Sequence, residues 1–423
     1  MTLLQACALL VYIPLVCASL PSLNDTSIIH TLDTSDSPCS NSTRTLWNIL
    51  LSCGVTLFAC TWTAIHTNIP GMEEGRVAIT SRRLFLMVAA LIAPELMITW
   101  ATRQFFSAQW TMTHGFFAWM GGFILYVDGK PRATRTPGEL LRFVRDRSVD
   151  MPIISEAEIK DRSKGDGLSK AIALLQLAWF VVQLVARYGQ NLPNTLLEID
   201  TLAVAALTCV AYGLWWKKPK DVGCPYIIHW KGAGSPRRLT YEYMALTRLH
   251  SSEADDTLVQ QFGMSFAYIM HPFISLMGVA SFISPSAARS RRVPSLGGYD
   301  GEYHGWIVLL FGCFSGMVFG GIHYLGWNYL FQRHAEHMLW RAASLGIACA
   351  PVLLFLAIGC RIWIGPPGNI GQVIMMLVTI ISPFIYIVAR IIIIVLMMLS
   401  LRSLPLGVYD TVAWTTFIPH FNM

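Results

Sequence analysis

Residues 373–399 read VIMMLVTIISPFIYIVARIIIIVLMML, a run in which Arg390 is the sole charge. A stretch of this length reaches across the roughly 30 Å hydrocarbon core of a bilayer as an α-helix, the form that satisfies every backbone N–H and C=O without water. Outward from it, comparable apolar blocks recur at Leu46–Ile65, Leu84–Thr102, Thr111–Val127, Leu168–Ala186, Leu196–Trp216, Phe262–Ile283, Trp306–Leu325 and Ala342–Cys360. Short polar, Lys/Arg-bearing or Pro/Gly-bearing segments separate them. The pattern predicts an all-α fold, a polytopic transmembrane helical bundle of about nine spans.

Of the 423 residues, 54% are hydrophobic and 13% charged, where a soluble domain carries about 25% charged residues. That composition excludes a soluble two-domain protein. The formal charge of +6 follows from keeping Lys and Arg on cytosolic loops, so membrane lipid is an expected partner and nucleic acid is not. The ten cysteines fall mostly inside apolar blocks, where cysteine behaves as a small hydrophobe. They show no metal-ligand spacing, so neither a disulfide framework, a metal nor a cofactor is expected.

Residues 1–19 read as a signal peptide, with small residues at Val16-Cys17-Ala18-Ser19 before Pro21. Residues 20–45 then form a luminal or extracellular tail with glycosylation sequons at Asn24 and Asn41. The bundle occupies 46–399, with cytosolic loops at 128–167 and 217–261. Odd parity sends 400–423 to the cytosol and places most of the 31 Lys and Arg residues on the cytosolic side, as the positive-inside rule requires.

Two segments resist this scheme. Arg289, Arg291 and Arg292 fall on the luminal side, unless the block around Met270-His271-Pro272 dips in and returns without crossing; the nine-span arrangement is preferred. Arg390 interrupts the last block, and either snorkelling or a break into 373–389 and 391–399 would relieve its desolvation. Short connections predict hairpins between spans two and three and between spans four and five.

An ionisable group at membrane depth is costly and is by default a place to look for chemistry. Glu95 follows Pro94 inside the second block, as a proton donor or ligand facing the interior, or as a structural carboxyl beside a proline kink. Glu198, Thr201, Ala205, Thr208 and Tyr212 form one stripe of span five, with Asp200 beside it, and Gln176, Phe180, Gln183 and Arg187 form a stripe of span four. Both stripes should face protein. Arg187 and Glu198 come close enough for a structural ion pair or a binding site. His114, among Trp110, Phe117 and Trp119, belongs to a pocket wall or to an interfacial belt.

His323 ends a Gly312, Gly316, Gly320 series and is read as a packed, satisfied histidine. His334 and His337 make a poor metal site. Asp161 and Asp166 could hold Mg²⁺ and a diphosphate, but helix capping by Asp166 or Ser163 is the preferred reading. Trp215-Trp216-Lys217-Lys218-Pro219 reads as a membrane-exit anchor. The catalytic candidates are therefore Glu95, His114, Glu198 and Asp200.

Three blocks, Cys60-Thr-Trp62-Thr-Ala-Ile-His66-Thr-Asn68-Ile-Pro70, Asp161 to Arg187, and Trp215-Trp216-Lys217-Lys218-Pro219-Lys220-Asp221-Val222, resemble a widespread family of multi-pass membrane proteins of filamentous fungi. The resemblance implies a fungal source and an endomembrane, endoplasmic reticulum or plasma membrane location; it transfers no catalytic residue. Analogy with fungal membrane-bound terpene cyclases adds an expectation of metabolite biosynthesis. Three readings stand side by side. An enzyme or accessory protein acting on a lipophilic, isoprenoid-like molecule predicts a closed aromatic pocket with a buried carboxyl. A transporter or channel predicts broken helices at mid-membrane and a polar pathway. A receptor or sensor uses the short tail and the two loops.

Overall fold

The computed structural model of the chain describes residues 43–108, 111–134, 136–164, 167–232, 234, 236, 239, 291–299, 305–363 and 369–413. The expected signal peptide, Asn24, Asn41, Asp166 and the Phe262–Ile283 block lie outside them.

The described chain is mostly helical. Helix α1, Leu46–Phe58, starts at Thr45, whose side chain accepts from the Asn48 N–H, and runs on as a π-helical turn, Ala59–Thr63. Next come α2, Arg76–Ile92, and α3, Pro94–Ser107, bent by 113° at Ala93. Pro94 supplies no N–H and forces the residue before it off helical backbone; Ala93 accordingly sits at φ −142° and ψ 74°. The remaining long helices are α7, Gly167–Gly189, α8, Leu196–Leu214, α9, Gly305–His323, α10, His334–Trp363, and α11, Asn369–Ser400.

Six of the helices, α1 with its π-turn and α7 to α11, are long and apolar enough to cross a membrane. The α2–α3 pair passes only if taken as one bent element. Arg83, midway along α2, pairs with Asp221 just beyond α8 (3.1 Å), and Gln104 near the end of α3 bonds Lys218 in the same stretch (2.8 Å). The pair therefore enters the helical array and returns to the end it came from.

The third expected span, Thr111–Val127, does not form one helix. It gives a short helix α4, Met112–Trp119, then Gly121 at φ +96°, then strand β1, Phe123–Val127. Asp128 and Gly129, both at positive φ (51° and 75°), turn the chain into strand β2, Lys130–Thr134. This is the two-residue hairpin turn whose twist matches paired strands. Strand β3, Tyr226–His229, joins in parallel on the other side of β1, giving the order β2-β1-β3.

Helices α5, Pro137–Arg145, and α6, Glu156–Arg162, each begin with a capping box and cover this sheet. Phe117, Phe123, Leu125, Leu140, Phe143, Ile159 and Ile228 form its core, separate from the core of the long helices. The β-branched and aromatic run Phe123–Val127 thus loses its backbone polarity to neighbouring strands, so no helix is required there.

Two further placements correct the expected topology. Arg291 and Arg292 do not sit opposite the sheet: Thr134 donates to the Arg291 carbonyl (2.5 Å) and Arg292 pairs with Glu74 (2.7 Å). Lys231, on the other side of the Phe262–Ile283 block, also sits at that end, its N–H bonded to Ser148. At the far end Thr43 bridges Asp410, and the Arg44 N–H donates to the Tyr409 carbonyl (2.7 Å). The two described ends of the chain therefore meet at one end of the array, where an odd number of crossings would separate them. Most described Lys and Arg residues gather at the sheet end, leaving Arg44, Arg187, Arg333, Arg341 and Arg402 at the other and Arg390 between the two.

Candidate functional site

Two buried polar constellations stand on the bent α2–α3 pair. The first lies at its tip. Ending α2 at Ile92 leaves carbonyls without helical N–H partners. Arg390 takes two of them, donating from Nη2 to Leu91 O (2.7 Å) and from Nε to Ile92 O (3.0 Å). Its other face meets Asp200 on α8, at 2.5 Å and 3.4 Å. Helix α11 runs unbroken through Arg390, which is 1% exposed. The expected snorkelling or break is replaced by a buried ion pair that also caps a helix C-terminus, where positive charge is favoured.

His323 completes the cluster. Its Nδ1 faces Phe319 O at 2.7 Å and its Nε2 faces Asp200 Oδ1 at 3.1 Å. Both ring nitrogens therefore face oxygens, which fixes the imidazole between its own helix and Asp200. Glu95, in the first turn of α3, sits over the same tip, its carboxyl facing the buried hydroxyl of Tyr386 one turn before Arg390. Behind the bend lies an apolar cavity of about 20 Å³, lined by Cys60, Ala64, Pro94, Met97, Thr208 and Trp215 among others.

The second constellation lies at the sheet end. Lys218, 1% exposed, donates to the His66 carbonyl and to Gln104 Oε1 (2.8 Å), with Asn68 Oδ1 at 3.5 Å. The rings of Trp100 and Trp215 lie 4.8 and 5.0 Å from the ammonium. Burial holds the Lys218 amine well below the ordinary lysine range. His66 gives Nδ1 to Ala64 O (2.7 Å), and its buried Nε2 has no partner. Burial first, then the charges of Lys220, Lys170 and Lys218, push this imidazole below its ordinary value.

The sequence read Trp215-Trp216-Lys217-Lys218-Pro219 as an anchor; Trp216 and Lys217 are exposed, but Trp215, Lys218 and Lys220 are buried. Lys220 and Arg83 satisfy the Thr63 and Trp62 carbonyls that the π-turn leaves open. Two of the blocks carrying the family resemblance are thus the two walls of one polar network. Lys218 was missed because its charge was explained by topology; the signal was a lysine beside two tryptophans, facing Asn68 and Gln104.

The four sequence candidates do not converge. Glu95 and Asp200 meet around Arg390. Glu198 closes a capping box with Thr195 and pairs with Arg44 (2.6 Å) at the far end, while Arg187, expected to pair with it, donates instead to the carbonyls of Pro193, Val408 and Asp410. His114 Nε2 bonds Ile154 O (2.8 Å) and its Nδ1 meets Thr111 (2.5 Å), tying α4 to the loop before α6. Ser163 ties the Lys220 backbone (2.9 Å both ways), and Asp161 is exposed.

The profile of a family of unknown function, DUF8562, matches residues 22–112 and 106–270, and the chain belongs to that family. No curated protein and no solved structure matches it.

Proposed function

We propose that this member of the DUF8562 family is an integral membrane protein that crosses the bilayer six times and translocates protons, held in turn by the His323–Asp200 pair and by Glu95. The observation that carries this reading is the buried cluster of Asp200, Arg390 and His323 at the tip of a broken helix, with the Glu95 carboxyl beside it. Broken helices whose backbone ends meet charged groups at mid-membrane belong to transport proteins. The cavity behind the bend, about 20 Å³, has room for a water.

The concentration of basic residues at the sheet end argues that this end is cytosolic. Thr43 and Arg44 then fall on the opposite, luminal or extracellular side, in the endoplasmic reticulum or at the plasma membrane. The C-terminal stretch to Ala413 shares that side, in place of the cytosolic tail expected from odd parity.

The test is proton flux. Purified protein is reconstituted in liposomes containing a pH-sensitive dye, and a potassium diffusion potential is imposed. Wild type should move protons well above protein-free vesicles, and Asp200→Asn and Glu95→Gln should each lower the rate by about tenfold or more. Wild-type flux equal to that of empty vesicles overturns the reading.

A further inference from the structure

The loop Pro294–Gly298 enters the Lys218 network in an unusual way. Trp100 Nε1 (2.9 Å), Gln104 Nε2 (2.9 Å) and Asn68 Nδ2 (3.1 Å) all donate to the single carbonyl oxygen of Gly297. A carbonyl oxygen has two lone pairs, so three donors exceed what it can serve well. We propose that the Gly297 carbonyl stands in for a ligand carboxylate, and that Trp100, Gln104, Asn68 and Lys218 form a monocarboxylate site uncovered when the 291–299 segment lifts.

Geometry and charge agree on the ligand class. A carboxylate offers about four acceptor positions on two oxygens, enough for the three converging N–H groups and an ammonium. Lys218 is buried against neutral acceptors alone, and a buried cation without a counter-charge is costly. A monoanion supplies that charge; a neutral carbonyl does not.

The segment covering the site is built to hold and to release. Gly298 lies at φ +84°, with its Cβ position 2.5 Å from Trp119 O, so only glycine lets the loop seat this deeply. Its outer tethers are ion pairs: Arg291 with Glu73 (2.9 Å) and Arg292 with Glu74 (2.7 Å), the latter carboxylate shared with Arg82. The exposed Arg291–Glu73 pair contributes little, so lifting the segment means parting the Arg292–Glu74 pair, the Thr134 and Asn68 hydrogen bonds and the buried Val293 and Leu296.

Ligand binding should bring a proton with it. An anion beside Lys218 favours the ammonium that burial disfavours. The other groups facing it do not supply that charge: His66 from the end of α1, Lys220 on its own segment, Lys170 on α7, and Arg103 on α3, whose guanidinium lies over Tyr299. This inference deepens the proton-translocation reading by naming a co-ligand class, and it can fail separately from it.

Butyrate is the probe, titrated calorimetrically into full-length protein in nanodiscs, in two buffers of different ionisation heat. Saturable binding is expected with a Kd on the order of 1 mM, within reach of a ligand of about six heavy atoms, together with proton uptake. Lys218→Met should weaken binding by about tenfold or more, and Trp100→Phe, which removes one donor and keeps the ring, by several-fold. Arg292→Ala should tighten it by loosening the cover, a change that a purely structural Lys218 would not give. No butyrate binding to wild type or Arg292→Ala, or binding unchanged by both Trp100→Phe and Lys218→Met, overturns the site. Proton flux without butyrate binding rejects the carboxylate site alone; butyrate binding without flux rejects the proton reading alone.

Discussion

Asp200 holds two buried partners at once, Arg390 and His323. Asp200→Asn strands the Arg390 guanidinium in a dry interior and should destabilise the protein by about 3–5 kcal/mol, read as a fall in melting temperature in detergent. Replacing both partners, as in Asp200→Leu with Arg390→Met, should cost distinctly less than the sum of the single changes. Lys218 and His66 give a pH signature of defined sign. Both are bases whose folded values lie below their ordinary 10.5 and 6.5. The unfolded chain then binds more protons, so stability rises with pH through the windows ending near those values. Melting temperature measured from pH 6 to 9 should climb in wild type and climb less in Lys218→Met. At this scale Arg390 was legible as an anomaly, but its partner was not: Asp200 lies 190 residues away, and no local spacing reports such a pair. Glu198 was legible and misread, since Thr195 three residues earlier already spelled a capping box.

Among the elements, the glycine series of α9 sets how closely the array packs. A Cβ at Gly320 would fall 2.6 Å from the Ala348 backbone nitrogen of α10, and one at Gly312 would fall 2.7 Å from Thr99 Oγ1 of α3. Gly320→Ala meets backbone that cannot give way and should destabilise by about 1–3 kcal/mol, whereas Gly54→Ala, with open space around it, should change little. Thermal unfolding of the two variants side by side checks this. The long apolar helices were readable because length and composition alone report them. The bend at Pro94 was readable as a kink; its 113° angle was not, because it depends on Arg390 arriving from α11. The block Thr111–Val127 was misjudged on apolar length, although Gly121-Gly122 and Asp128-Gly129 flank a β-prone run and mark a hairpin.

At the scale of the whole molecule, the proposal rests on an even number of crossings: six candidate membrane helices among the described residues, a bent pair that returns to its own end, a sheet at the basic end and both described termini at the other. The arginines at 291 and 292 were legible as the place where the nine-span scheme strained, and the structure sets them at the sheet end. Protease cleavage sites inserted singly at Gly75, Arg147 and Arg402, assayed in sealed microsomes with the cytosolic face outward, test the arrangement most directly. Gly75 and Arg147 should be cut without detergent and Arg402 only after the membrane is opened. Cleavage of the Arg402 site together with the Arg147 site, or of the Gly75 and Arg147 sites from opposite sides, would contradict it.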